Sequence, residues 1–154
     1  MTIYRIAKSK KHARDISGFG SFKFGGRWNS AGTYMLYASE NSSLAFLENL
    51  AHFDPDNIPP ELYIIRLEIS VADDLIYTLP DKHYPKEWML ADNIANQIIG
   101  DKLMDDKKYL AVKVRSAINK FEYNYLLNPL FPGYHDIVKI EKVSGLAIDS
   151  RLIR

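Results

Sequence analysis

The 154-residue chain contains no cysteine, so disulfide frameworks, thiol nucleophiles and cysteine-rich zinc sites are excluded together. Its charges nearly cancel. Twenty basic and nineteen acidic residues leave a formal charge of +1, which argues against a chain-wide phosphate-binding surface but leaves room for a local basic patch. No apolar run approaches the ~18 residues that a membrane span needs. The opening MTIYRIAKSKK lacks the apolar core of a signal peptide. The four histidines, His12, His52, His83 and His135, show neither H-x-x-x-H nor H-E-x-x-H spacing, so no metal site is expected. There is no internal repeat and no Pro/Gly/Ser-rich linker; the stretch Asp54–Pro60 is a loop between elements. The expectation is one cytoplasmic domain, 1–154, within the usual ~100–200 residues.

A chain of this size buries about 68–70% of the surface it exposes when unfolded, so its core needs no staple. Thr2–Ile6 alternates and is rich in β-formers, Tyr34–Ala38 reads as a buried strand, and further strands are expected over Glu61–Val71, Leu75–Leu79, Tyr109–Val114 and Asp136–Val143, with a last short one at Leu146–Ile148. Helices are expected over Lys8–Ile16, from Ser42 to Phe53 behind the capping side chains Ser39, Asn41 and Ser42, and over Glu87–Lys102. Gly18–Gly32 carries five of the eight glycines and is expected to hold no regular element. Strands outnumber helices without a regular βαβ alternation, which predicts an α+β fold with an antiparallel or mixed sheet.

Two residues stand out chemically. Arg27 follows Gly25 and Gly26, where close backbone approach and a guanidinium fork suit a phosphate or carboxylate; a solvated surface turn is the bland alternative. Neither G-x-G-x-x-G before a helix nor G-x-x-x-x-G-K-[ST] is present. Glu48 falls at about 40° on a helical wheel begun at Leu44, with Leu47 at about 300° and Ala51 at about 340°. It therefore shares the apolar face while Asn49 points elsewhere. A carboxylate there must be paired, protonated or catalytic, and a structural ion pair is the commoner case. Ser116 follows a predicted strand without a Gly-x-Ser-x-Gly elbow, which favours a turn former or hydrogen-bond donor over a nucleophile. The run Lys8, Lys10, Lys11 and Arg14 reads as a solvated face that can also meet an acidic partner. Phe19, Phe22, Phe24, Trp28, Tyr34 and Tyr37 fit a planar-ring pocket or ordinary packing equally well.

The ordered blocks GGRWNSAGTYMLYAS, SSLAFLENLAHF, QIIGDKL, LAVKVRSAINKFEYNYLLNP and AIDSRL resemble the RES domain, from about Tyr4 to Leu152. The family's arginine, tyrosine, glutamate and serine then fall on Arg27, Tyr37, Glu48 and Ser116, and the asparagine of its E-x-N-x-L-L-N-P stretch on Asn124. Arg115 stands where family members often carry proline, and the closing block reads Ile148–Leu152 in place of F-D-x-R-L.

The resemblance implies an ADP-ribosyltransferase-like fold, NAD⁺ as substrate with no further cofactor, and cleavage of the nicotinamide–ribose bond. The acceptor would be water, phosphate or, in an alternative reading, a protein. It further implies the toxin of a toxin–antitoxin pair that arrests growth. The partner would be an Xre-type helix-turn-helix antitoxin that covers the site and alone contacts DNA, and a homodimer within the complex is possible. On this reading Glu48 stabilises an oxocarbenium-like ribose and Arg27 clamps the pyrophosphate. Tyr37 would orient nicotinamide, with Ser116 and Asn124 hydrogen-bonding the substrate. More distant alternatives are a non-catalytic nucleotide-binding module and a nucleic-acid binder.

Overall fold

The structure, a computed structural model, describes residues 1–153. Seven strands form one sheet: β1 (Thr2–Ala7), β2 (Leu36–Ser39), β3 (Leu62–Ile69), β4 (Ile76–Thr78), β5 (Ala111–Arg115), β6 (Tyr123–Leu127) and β7 (Val138–Leu146). Their spatial order is β4-β5-β6-β2-β1-β3-β7. Only β4 and β5 run parallel; every other neighbouring pair is antiparallel. The sheet is mixed and the fold is α+β, as the sequence predicts.

The helices are α1 (Lys10–Ala13), α2 (Phe19–Phe24), α3 (Ser42–Leu50), α4 (Ile94–Asp106) and α5 (Tyr134–Ile137). Of the three candidate caps of α3 it is Asn41 whose side chain accepts the Leu44 N–H, at 2.8 Å. Period-2 alternation in β2 divides its side chains between two cores. Leu36 and Ala38 join Ile3, Ile65, Leu67 and Leu127 on one face. Tyr37 packs on the other with Trp28, Met35, Val112, Val114 and Leu126.

Four local expectations are corrected. The glycine-rich stretch contains α2, which begins after Gly18 and ends at Gly25, both in the left-handed region that glycine tolerates. The glycines therefore bracket a helical turn instead of dissolving it. The helix foreseen from Glu87 starts at Ile94, because Glu87 and Asp92 take φ of 58° and 60° and Asn93 caps the helix through Ala95 N–H. Strand β6 was not foreseen; Tyr125, Leu126 and Leu127 are buried in succession, so no polar–apolar alternation betrays it. The separate strand at Leu146–Ile148 does not form, since β7 itself runs on to Leu146.

Gly100 fixes how closely α4 sits on the Gly25–Asn29 loop. A Cβ there would lie 1.7 Å from the Trp28 carbonyl oxygen.

Candidate active site

A cleft of about 730 Å³ opens along β1 and β2, between α1, α2 and α3. Glu48, Tyr37 and Asn124 all line it. The buried face of α3 centres on Glu48. Leu44 and Ala45 are fully or almost fully buried, whereas Leu47, expected on that face, is 43% exposed. Asn49, expected to point away, lines the cleft as well.

Among the described residues Glu48 forms no ion pair, which disposes of the structural-pair reading. It is held by two neutral donors that meet one oxygen. Ser116 Oγ lies 2.6 Å from Oε1, and Asn124 Nδ2 lies 2.6 Å from the same atom. Ser116 Oγ also accepts the N–H groups of Ile118 and Asn119, at 3.1 and 3.0 Å. Its two lone pairs are thereby occupied and its proton must go to Glu48. Among the described residues no donor meets Oε2. The carboxylate is thus anchored by one oxygen and available through the other.

This geometry corrects the part assigned to Ser116. It is fully buried, does not line the cleft and has no hydrogen-bonding capacity left for substrate. Its action is on Glu48. Asn124 also donates to Glu48, while its Oδ1 accepts from Ser39 Oγ at 2.7 Å. One amide proton of Asn124 remains, on a side chain that lines the cleft.

Tyr37 offers the cleft its ring only. Its hydroxyl accepts the Trp28 N–H at 3.0 Å and donates to Asn29 Oδ1 at 2.7 Å. Burial pushes the phenol well above the ordinary tyrosine value, so it stays neutral. Gly26 is required beneath it, because a Cβ there would lie 2.7 Å from the Tyr37 oxygen.

Arg27 departs from expectation. It is absent from the cleft lining, and its Nη1 donates to the carbonyls of Trp88, Met89 and Leu90 at 3.2, 2.8 and 3.0 Å. The reason lies in the loop: with Tyr37 pinning Trp28 and Asn29, and Trp28 buried in the second core, the Arg27 side chain is turned toward the segment before α4. Among the described residues no acceptor meets Nε or Nη2, the two nitrogens of one guanidinium edge.

Sequence reasoning missed Arg5 and Ser39. Arg5 lines the cleft and donates from Nη1 to the carbonyls of His12 and Asp15, at 3.3 and 3.1 Å. Burial draws it below the ordinary arginine value, partly offset by Asp15. Nothing marks it in the sequence beyond a cation inside a predicted strand. Arg115, the departure from family usage, is engaged away from Glu48. Its Nε and Nη2 meet Asp81 at 2.8 and 3.2 Å, and its Nη1 donates to the Lys120 carbonyl. No cluster of three or more metal-ligating side chains occurs among the described residues, and no helix there is long and apolar enough to cross a membrane.

A mixed seven-stranded sheet with a carboxylate anchored in a cleft, and in no ion pair among the described residues, defines an α+β protein with an acid-bearing cleft. The particular family follows from comparison: residues 2–149 match the RES domain, and the chain belongs to that family. It is similar to a protein named Toxin Res from Photorhabdus laumondii subsp. laumondii, with 30% identity covering 100% of this chain and 98% of the relative. It is also similar to the Prs ADP-ribosylating toxin of Sphingobium sp., with 30% identity over 99% of this chain and 97% of that protein. Among solved structures, the M. tuberculosis MbcT–MbcA toxin–antitoxin complex contains a similar fold, with TM-score 0.67 and 18% identity, covering 94% of this chain and 83% of that one.

Proposed function

We propose that the chain is the toxin of a toxin–antitoxin pair and that it splits the nicotinamide–ribose bond of NAD⁺, with water or phosphate as acceptor. The observation that carries this reading is Glu48: a carboxylate without a cation, tied through Oε1 by two short hydrogen bonds, in a cleft whose volume suits a dinucleotide.

The chemistry asks little of a general acid. The electron pair of the C1′–N bond leaves with nicotinamide, which departs neutral. An acceptor oxygen then bonds to C1′ and releases its proton to solvent. The charge that needs stabilising lies on the oxocarbenium-like ribose, as in glycoside hydrolysis. Glu48 Oε2 sets a negative charge against it and holds a ribose hydroxyl, while Ser116 and Asn124 keep the carboxylate in place. The free amide proton of Asn124 and the ring of Tyr37 orient the nicotinamide ribose and its base. Arg27 takes the pyrophosphate through its Nε–Nη2 edge, a bidentate match for phosphate oxygens. That puts the pyrophosphate toward the Gly25 side of the cleft, and Arg5 and Lys8 add positive charge within it.

Incubating the purified chain with NAD⁺ and weighing the products tests the reading. Nicotinamide together with ADP-ribose or its phosphate supports it, and undiminished NAD⁺ overturns it. A second reading, transfer of ADP-ribose to a protein, is favoured by the relative named an ADP-ribosylating toxin. Biotinylated NAD⁺ that marks a discrete lysate protein would select it. The partner we propose is an Xre-type antitoxin that covers the cleft in the cytoplasm, in keeping with the toxin–antitoxin complex that holds the similar fold. Expression of the chain alone should arrest growth, and co-expression of the partner should relieve it.

A further inference from the structure

We infer that Ser39, the last residue of β2, is a positioning residue that acts on Glu48 through Asn124. The inference rests on the reading of Glu48 given above and adds a group in the cleft wall whose hydroxyl is spent on Asn124 and makes no contact with the carboxylate.

The atoms dictate the direction of every bond in the chain of contacts. A carboxylate oxygen accepts and cannot donate, so the Asn124 atom 2.6 Å from Glu48 Oε1 must be the amide nitrogen. The amide oxygen therefore faces Ser39, and the hydroxyl 2.7 Å away must donate to it. Reversing the amide would set its oxygen against the carboxylate. Ser39 is 4% exposed although it stands in the cleft wall, its hydroxyl turned to the amide. Its position is equally fixed: β2 pairs with β6 so that Ser39 lies opposite Asn124, and with β1 so that it lies opposite Tyr4. Two neighbouring strands thus lock a donor under an amide that holds the acid. The hydroxyl also polarises that amide, which strengthens the N–H donated to Glu48.

A double-mutant cycle on nicotinamide release tests this. Ser39→Ala should lower kcat by about tenfold, the rate equivalent of one ordinary hydrogen bond, with KM for NAD⁺ changed less than about twofold. In an Asn124→Ala background the same substitution should change kcat less than about twofold, since the relay is already cut. Losses that multiply instead would overturn the inference. Ser39→Thr keeps the hydroxyl and should retain kcat within about threefold of wild type. A folded Ser39→Thr protein as slow as Ser39→Ala counts against it.

The Asn124 side-chain amide signal, assigned by its disappearance in Asn124→Ala, gives a readout independent of turnover. It should move upfield in Ser39→Ala, and an unmoved signal overturns the relay. A wild-type chain that releases no nicotinamide refutes the function proposed above, while the amide signal still decides whether Ser39 governs the group on Glu48.

Discussion

Replacing Glu48 by glutamine separates charge from shape at the site. The glutamine carbonyl can accept from Ser116 and Asn124 in the positions Oε1 occupies, at 2.6 Å from each. The fold should be retained. Glu48 is in no ion pair among the described residues, so removing its charge breaks no salt bridge. The midpoint of thermal unfolding should stay within about 4 °C of wild type, the shift that ~1 kcal/mol produces in a chain of this size. Activity should behave oppositely. A preorganised electrostatic partner is worth ~2.7–4 kcal/mol, so nicotinamide release should fall by about 10²–10³-fold. Glu48→Ala should lose both properties, because the Ser116 hydroxyl and the Asn124 amide are left without their acceptor. Each stranded group costs about 1–3 kcal/mol, and ~1 kcal/mol moves the midpoint by about 2–4 °C in a chain of this size. Calorimetry and a single-turnover assay on the three proteins are sufficient. Glutamine activity within threefold of wild type, or a glutamine midpoint as low as that of alanine, would refute the argument.

Arg27→Lys should keep the contact with the carbonyls of residues 88–90, and with it the thermal midpoint, while losing the bidentate edge; titration with NAD⁺ should show weaker binding, and unchanged affinity removes Arg27 from the substrate site. Gly100→Ala gains about 1 kcal/mol of helix propensity but drives a Cβ to within 1.7 Å of the Trp28 oxygen, so a net loss of ~2 kcal/mol or more should appear in denaturant unfolding. Tyr37→Phe keeps the ring and strands the Trp28 N–H and Asn29 Oδ1, which should cost about 1–3 kcal/mol for each by the same measurement. Alkaline stability follows from Tyr37 and Tyr134, both raised chiefly by burial. A raised folded pKa gives stability that is complete below the unfolded value near ~10 and is lost as pH climbs beyond it. Unfolding should therefore set in above about pH 10, and absorbance near 295 nm should show these two tyrosines ionising only as the chain opens.

Local physics made much of the scaffold legible. Runs of β-formers and apolar residues marked six of the seven strands to within a few residues, and the Asn41 cap announced α3. Glu48 was legible because a charge on an apolar helical face is anomalous. Where the reading failed, the cause was non-local. β6 is covered on both faces, so its alternation is erased, and the start of α4 depends on two left-handed residues held by the fold.

What the sequence determined by itself is which residue types were available and on which side of each element they stand, since helical and strand periods are set by the backbone alone. Tertiary structure decided which of them meet. Ser116 and Asn124 reach one oxygen of Glu48 from 68 and 76 residues away, and Ser39 reaches Asn124 across 85. Arg27, by contrast, was drawn to carbonyls 61–63 residues downstream. Contacts at such separations depend on strand order and register, which no local period encodes.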